Sequence, residues 1–255
     1  MKWILSLFLC LTASAQLPVI PYVIPSGSKD PIGVPGLYEL WVFTDLVTNN
    51  MPITNWIGEI SNTILTNGAA TQQPTNSANG VMFGQNSGLQ YLTNLPINLG
   101  SNFTVVVRGK MTSEGFAPSG VYPMWSEFKT SWIVGWGDGT IPKATFGWYD
   151  HATVNHTTAG LNAIQGTYID HMMVNSNNAN GTGKTYPYTN AVLVAGSFAA
   201  EPNTTKFSGV AWGGSPNWAT TDAYRGLIEI IEVYTNVLTP TQLTTVFTYN
   251  STRFP

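Results

Sequence analysis

The chain has 255 residues and a formal net charge of −3; 43% of the residues are hydrophobic and only 9% are charged. An ordinary soluble protein carries about 25% charged residues, so this surface is built from Asn, Thr, Ser, Gln and Gly, which hydrogen-bond neutral polymers and give little electrostatic steering. Ten basic residues, scattered and outnumbered by thirteen acids, exclude the concentrated positive surface that a nucleic-acid partner requires.

In chain order, MKWILSLFLCLTASAQ reads as a secretory signal at residues 1–15. It has a basic start at Lys2, an apolar run from Trp3 to Leu11, and Ala13-Ser14-Ala15 as a small-residue cleavage site, with the cut expected after Ala15. The apolar run is shorter than the ~20 residues of a membrane span, and no later segment is apolar enough. Cys10, the single cysteine, would leave with the signal, so no disulfide is expected in the mature chain, and the expected location is secreted or cell envelope. Residues 16–35, with five prolines, read as a linker or an extended N-terminal segment.

From Gly36 to residue 255 the pattern becomes one of short β-favouring runs between Gly, Asn and Pro. The runs are LYELWVF (37–43), GVMFG (80–84), LQYL (89–92), FTVVVRGKM (103–111), SWIVGW (131–136), ATFGWY (144–149), YIDHMMV (168–174), AVLVAGSF (191–198), FSGVAW (207–212) and LIEIIEVY (227–234). Such a series predicts an all-β sandwich or barrel of antiparallel strands, with NSNNANGTGK (175–184) as an exposed loop. Helical spacing occurs only at the end. Thr239, Pro240 and Gln242 form an N-cap, a first-turn proline and a capping-box partner, and Leu243, Val246 and Phe247 follow, which predicts a helix over about 240–249. Asn102, Asn155, Asn180, Asn203 and Asn250 head Asn-x-Ser/Thr sequons.

GLYELWVFTDL followed by Trp56, NGVMFGQNSGLQYL, FTVVVRGKM and the closing GLIEIIEVYTNVLTPTQL together resemble, over residues 36–255, the LamG-like domains of the concanavalin A-like lectin/glucanase superfamily. The resemblance implies a jelly-roll sandwich of two curved antiparallel sheets with one short C-terminal helix. Function stays open, since this fold hosts lectins, adhesion modules, hydrolases and lyases.

Glycosidase chemistry needs two carboxylates facing one another. The Glu-x-Asp-x-x-Glu arrangement of related glucanases is missing here. Glu229 and Glu232 stand three apart, so a regular strand sends them to opposite faces, one exposed and one hydrogen-bonded. His151, His156 and His171 lack convergent partners for zinc and read as surface histidines. No serine sits in a Gly-x-Ser-x-Gly elbow. Calcium needs only loop oxygens; Asp138, Asp150 and Asp222 are its weak candidates, and no other cofactor is implied.

SWIVGWGDGTIPKATFGWYDH (131–151) packs five rings around an Asp-Gly turn. Alternation places Trp132, Val134 and Trp136 on one face with Phe146 and Trp148, and Thr145, Gly147, Tyr149 and His151 on the other. The bulky face suits a core, led by Trp132 and Phe146. Trp136, Trp148, Tyr149 and His151 suit a rim where a sugar stacks on a ring and pairs its hydroxyls with amides. Trp212 and Trp218, in AWGGSPNWAT, form a second candidate site. The sequence therefore predicts a secreted, non-catalytic module that binds carbohydrate or a cell-surface polymer. Its rivals are a self-associating structural protein (surface layer, fibre or virion decoration) and a polysaccharide hydrolase or lyase.

Overall fold

The structure is a computed structural model. It describes residues 30–45, 51–67, 72–84, 90, 92–93, 102–111, 122–127, 131–138, 141–150, 154–157, 161–162, 166–176, 184–194, 198–199, 210–212, 224 and 226–254. From 111 to 162, and at 45, 93, 198–199 and 210–212, the description is of the backbone.

The described residues form eighteen strands and one α-helix. In chain order the strands begin with β1 (Leu37–Val42), β2 (Asn55–Ile57), β3 (Ile64–Thr66), β4 (Thr75–Ser77), β5 (Gly80–Phe83), β6 (Leu92–Thr93), β7 (Asn102–Met111), β8 (Tyr122–Glu127) and β9 (Ser131–Asp138). They continue with β10 (Ile141–Asp150), β11 (Val154–Thr157), β12 (Leu161–Asn162), β13 (Ile169–Ser176), β14 (Lys184–Thr189), β15 (Val192–Leu193), β16 (Phe198–Ala199), β17 (Val210–Trp212) and β18 (Gly226–Tyr234). The helix α1 spans Pro240–Arg253.

Two antiparallel sheets result, as the all-β reading requires. Sheet A runs β15-β14-β13-β7-β18-β5-β4, with β1 on β18 and β16 on β14. Sheet B runs β11-β10-β9-β8-β17-β6-β3-β2, with β12 on β10. β7 lines one edge of β18, while β5 and β1 share the other, β5 along Gly226–Ile228 and β1 along Ile230–Tyr234.

Sheet A is covered on both faces, which explains why β18 is buried at every position. Its inner face meets sheet B in a core of Trp41, Trp56, Phe83, Phe103, Val105, Val107, Ile228 and Ile231. The two indoles are satisfied there, Trp41 Nε1 donating to the Thr63 carbonyl at 3.0 Å and Trp56 Nε1 to that of Val42 at 3.0 Å. The outer face carries Val106, Met172, Val174 and Tyr234 against Leu243 and Val246 of α1, joined by Ile32 and Val34. Burying Leu243 and Val246 stabilises helix docking by roughly 1.5–3 kcal/mol each. At the N-terminus of α1 the capping box forms as the sequence predicts. Gln242 N–H donates to Thr239 Oγ1 (3.3 Å), Thr239 N–H donates to Gln242 Oε1 (2.8 Å), and Pro240 opens the first turn.

Several expectations change. The strands number more than the sequence suggested, because three-residue pieces such as β2, β3 and β4 are too short to show a period. β13 extends to Ser176 and β14 begins at Lys184, shortening the loop expected over 175–184. The AVLVAGSF run supplies the short strand β15 and the first residue of β16, and α1 runs four residues past its predicted end. His171, expected on the surface, is buried at 1% exposure, and that burial drives its pKa down to about 3.

Candidate functional site

The aromatic hairpin is β9 and β10, and β8 and β17 continue it into a wide sheet. Backbone register pairs Trp132 with Trp148, Val134 with Phe146 and Trp136 with Ala144. β8 adds Tyr122 opposite Trp136 and Trp125 opposite Val134, with a bulge between Pro123 and Trp125, and β17 sets Trp212 opposite Trp125. One cross-strand row therefore reads Leu92–Trp212–Trp125–Val134–Phe146. Its first member, Leu92, is a fully buried core residue. A neighbouring row reads Thr66–Thr93–Ala211–Ser126, and Thr66 is exposed.

Alternation along each strand propagates these two faces across the sheet. Trp136, Trp148 and Trp212 fall in rows on the Leu92 face, Trp148 with Trp132 and His156. Tyr149 falls in a row on the Thr66 face, between Ser131 and Asn155. Adjacent rows on that face hold Ile133, Gly147 and Thr157, and Pro123, Gly135 and Thr145. Tyr149 thus stands among glycine, hydroxyl and amide residues, with Ile133 in the adjacent row. Sequence reasoning missed Asn155 as its neighbour, and missed Tyr122 and Trp125 altogether. The signal for the latter was the ring spacing in YPMWSE, obscured by Pro123. His151 and Trp218 lie outside the described residues.

The calcium candidates separate in the same way. Asp138 ends β9 opposite Ile141, Asp150 ends β10 opposite Val154, and Asp222 lies outside the described residues. Among the described residues, no group of three His, Cys, Asp or Glu side chains converges on a metal position.

The acids of β18 depart from the expected geometry. The register of β18 on β7 shifts between Ile228 and Ile230, so Glu229 is the extra residue of a β-bulge. Ile228 and Ile231 both belong to the inner core. The bulge therefore leaves Glu229 and Glu232 on the same, outer face, and both are buried, at 5% and 0% exposure. The expectation of opposite faces with one acid exposed is overturned. A regular strand would have separated them; the inserted residue resets the alternation.

Arg108 of β7 is the cation that Glu229 meets there. Its Nε donates to Glu229 Oε2 (2.8 Å), one terminal nitrogen donates to Asp170 Oδ1 (2.9 Å), and the other donates to the Phe254 carbonyl at the end of α1 (2.9 Å). Asn250 of α1 donates to Asp170 Oδ2 at 3.1 Å. Burial pushes both Asp170 and Glu229 upward in pKa, and Arg108 pulls each back. Tyr168 lies beside this cluster, its ring under Lys110 Nζ at 4.3 Å. Its hydroxyl is raised by burial and by Glu229. The arginine joins these acids to one another and to the helix terminus, the chemistry of a structural clamp.

A concavity of about 730 Å³ runs beside α1 and is lined by Ala191, Pro240, Thr241, Thr244, Thr245, Thr248 and Tyr249. The Thr244, Thr245 and Thr248 hydroxyls donate to helix carbonyls four residues back.

No family model matches the chain, and no curated protein matches it in sequence. Solved structures do match its fold. Trypanosoma rangeli sialidase in complex with sialic acid aligns with TM-score 0.60 and 15% identity over 90% of this chain and 35% of the sialidase. The botulinum neurotoxin serotype D binding domain aligns with TM-score 0.60 and 12% identity over 84% of this chain and 52% of that structure. This chain therefore spans about a third to a half of the length of these neighbours, and at such identities the likeness is one of fold.

Proposed function

We propose that this chain is a secreted, non-catalytic carbohydrate-binding or adhesion module of LamG-like type, which binds a glycan on the outer face of sheet B around Tyr149. The observation that supports this reading is the register: a row of Ser131, Tyr149 and Asn155 on the face that exposed Thr66 shares, flanked by Gly147, Gly135 and Thr145. A ring bordered by glycines has room for the C–H face of a sugar, and Ser, Thr and Asn supply donors and acceptors for its hydroxyls. The low charge of the chain fits a neutral ligand held without electrostatic steering. Among the structures that share this fold, the sialidase is bound to a sugar, sialic acid, which supports a glycan ligand.

A glycan array on the chain lacking residues 1–15 tests the proposal. Tyr149→Ala should weaken the bound glycan by up to about tenfold, the range of one lost ring contact, while Trp148→Ala should act through stability. No glycan retained by the parent chain, or equal retention by Tyr149→Ala, refutes it. A structural role is the second reading, favoured by one observation. Ile57 of β2 and Ile64 of β3, paired in register, are 53% and 45% exposed at the end of sheet B, a place where a neighbouring copy could pack. Concentration-dependent light scattering abolished by Ile57→Lys would support it.

A further inference from the structure

We propose that β15 is a docking edge for a second copy of this chain: two copies pair antiparallel along this strand, Leu193 of one opposite Leu193 of the other, in a closed dimer across which sheet A is continuous.

The hairpin joining β14 to β15 fixes the direction in which the backbone of that edge points. Its two loop residues, Asn190 and Ala191, both hold positive φ, 50° and 63°, the turn that suits a two-residue hairpin. Asn190 anchors the turn to β13, its N–H donating to the Asp170 carbonyl (3.0 Å) and its Oδ1 accepting from the Asp170 N–H (2.9 Å). Beyond the turn Thr189 pairs with Val192 and Tyr188 with Leu193, and Val194 N–H donates to the Pro187 carbonyl at 2.9 Å. Bonded and non-bonded pairs alternate in an antiparallel ladder. The bond at Val194 therefore makes Tyr188–Leu193 a non-bonded pair, and it turns the Leu193 N–H and carbonyl away from β14. Because β15 ends the path of sheet A, these two groups face out from the sheet edge and, among the described residues, meet no other strand.

The side chains of this edge favour association. Val192 and Leu193 are 68% and 49% exposed. Residues 189–196, TNAVLVAG, hold neither charge nor proline, two of the devices that keep open edges apart. An identical strand matches such an edge. When Leu193 faces its own copy, each N–H meets the other's carbonyl, Val192 falls opposite Val194, and exposed apolar side chains of both copies leave water together. The contact uses the same residues on both sides, so it closes at two copies. A net charge of −3 offers little repulsion to their approach. The edge belongs to sheet A, whereas Tyr149 and the Ile57–Ile64 pair belong to sheet B, so the inference stands independently of the glycan reading.

A two-residue strand makes a weak dimer, half dissociated at about 10–500 μM. Sedimentation equilibrium of the full-length chain over about that range should show the average mass rising toward twice that of the monomer and no further. Leu193→Lys and Leu193→Glu each set like charges directly opposite one another and should each weaken association at least about tenfold. An equimolar mixture of the two should associate again, because position 193 faces itself. Hydrogen exchange at the Leu193 amide of the parent chain gives a readout independent of any variant, and its protection should grow with protein concentration. A parent chain that stays monomeric, a mass that climbs past the dimer, variants that associate as the parent does, a mixture that stays apart, or Leu193 exchange independent of concentration overturns the proposal.

Discussion

Glu39 offers the sharpest test of how this sandwich handles a buried carboxylate with no cation paired to it among the described residues. Its side chain is fully buried in a ring of backbone N–H groups. Oε1 accepts from Leu40 (3.1 Å), Ile60 (2.8 Å) and Ser61 (3.1 Å), and Oε2 accepts from Ser61 (3.1 Å) and Thr63 (2.7 Å). The turn between β2 and β3 is folded around one carboxylate, and Gly58 permits the approach: a Cβ there would lie 2.2 Å from Glu39 Cδ. In Glu39→Gln the amide oxygen keeps the Oε1 position at best, and the NH2 group then faces the Thr63 N–H, donor against donor. One charge-assisted bond is lost outright and the others fall to neutral strength. At about 1.5–3 kcal/mol for a bond to a charged group and about 1 kcal/mol for a neutral one, the substitution should destabilise the fold by roughly 3–5 kcal/mol. Urea unfolding followed by tryptophan fluorescence should show the midpoint falling by about 1 M or more. A loss under about 1 kcal/mol would refute the reasoning, because the loop would then be indifferent to the charge at its centre.

Other perturbations probe the same framework. Arg108→Met leaves Asp170 and Glu229 buried without their cation and should cost about 3–5 kcal/mol in urea unfolding, more than the roughly 1 kcal/mol expected of Thr239→Ala at the helix cap. Stability against pH should show opposed slopes. His171, lowered by burial to about 3, adds stability that is complete above the ordinary 6.5 and lost as pH falls through 3. Glu232, raised by burial to about 8, adds stability complete below 4.5 and lost as pH rises. The two oppose each other between about pH 4.5 and 6.5, and from 6.5 to 8 Glu232 acts without that offset, so urea midpoints should fall over this upper interval at up to about 1.4 kcal/mol per pH unit. A midpoint that rises over that upper interval would contradict the assignment for Glu232.

Long apolar runs and punctuation carried most of the fold in the sequence. β1, β7 and β18 appear as LYELWVF, FTVVVRGKM and LIEIIEVY, and the helix is announced by Thr239, Pro240 and Gln242 because caps are local chemistry. What stayed hidden depends on partners far away in the chain. The KTYPYT stretch of β14 contains Pro187, which argues against a central strand, yet Pro187 fits because its carbonyl still accepts from Val194 at 2.9 Å. The bulge at Glu229 is invisible in IEIIE, since it exists only in register with β7, and Arg108 finds its acids 62 and 121 residues away. The two faces of the aromatic hairpin were legible from alternation alone. Their direction was not, and it required Leu92 and Thr66, residues of other strands.

The division of charge between the two sheets bears on where recognition can occur. Sheet A has α1 on one face and sheet B on the other, and it keeps Arg108, Asp170, Glu229 and Glu232 buried together under the helix. Arg108 holds Asp170 and Glu229, Tyr234 holds Glu232, and exposing these groups would break the fold. Sheet B has a core face marked by Leu92 and an opposite face marked by exposed Thr66. Along β8 to β11 the rows on that face hold Ser131, Tyr149 and Asn155, then Ile133, Gly147 and Thr157, then Pro123, Gly135 and Thr145, with Lys143 at their margin opposite Asn162. A ligand meeting this face encounters hydroxyls, amides and a ring, so affinity must come from stacking and neutral hydrogen bonds and should change little between low and high salt. A glycan whose binding collapsed on adding salt would have to be held elsewhere on the molecule.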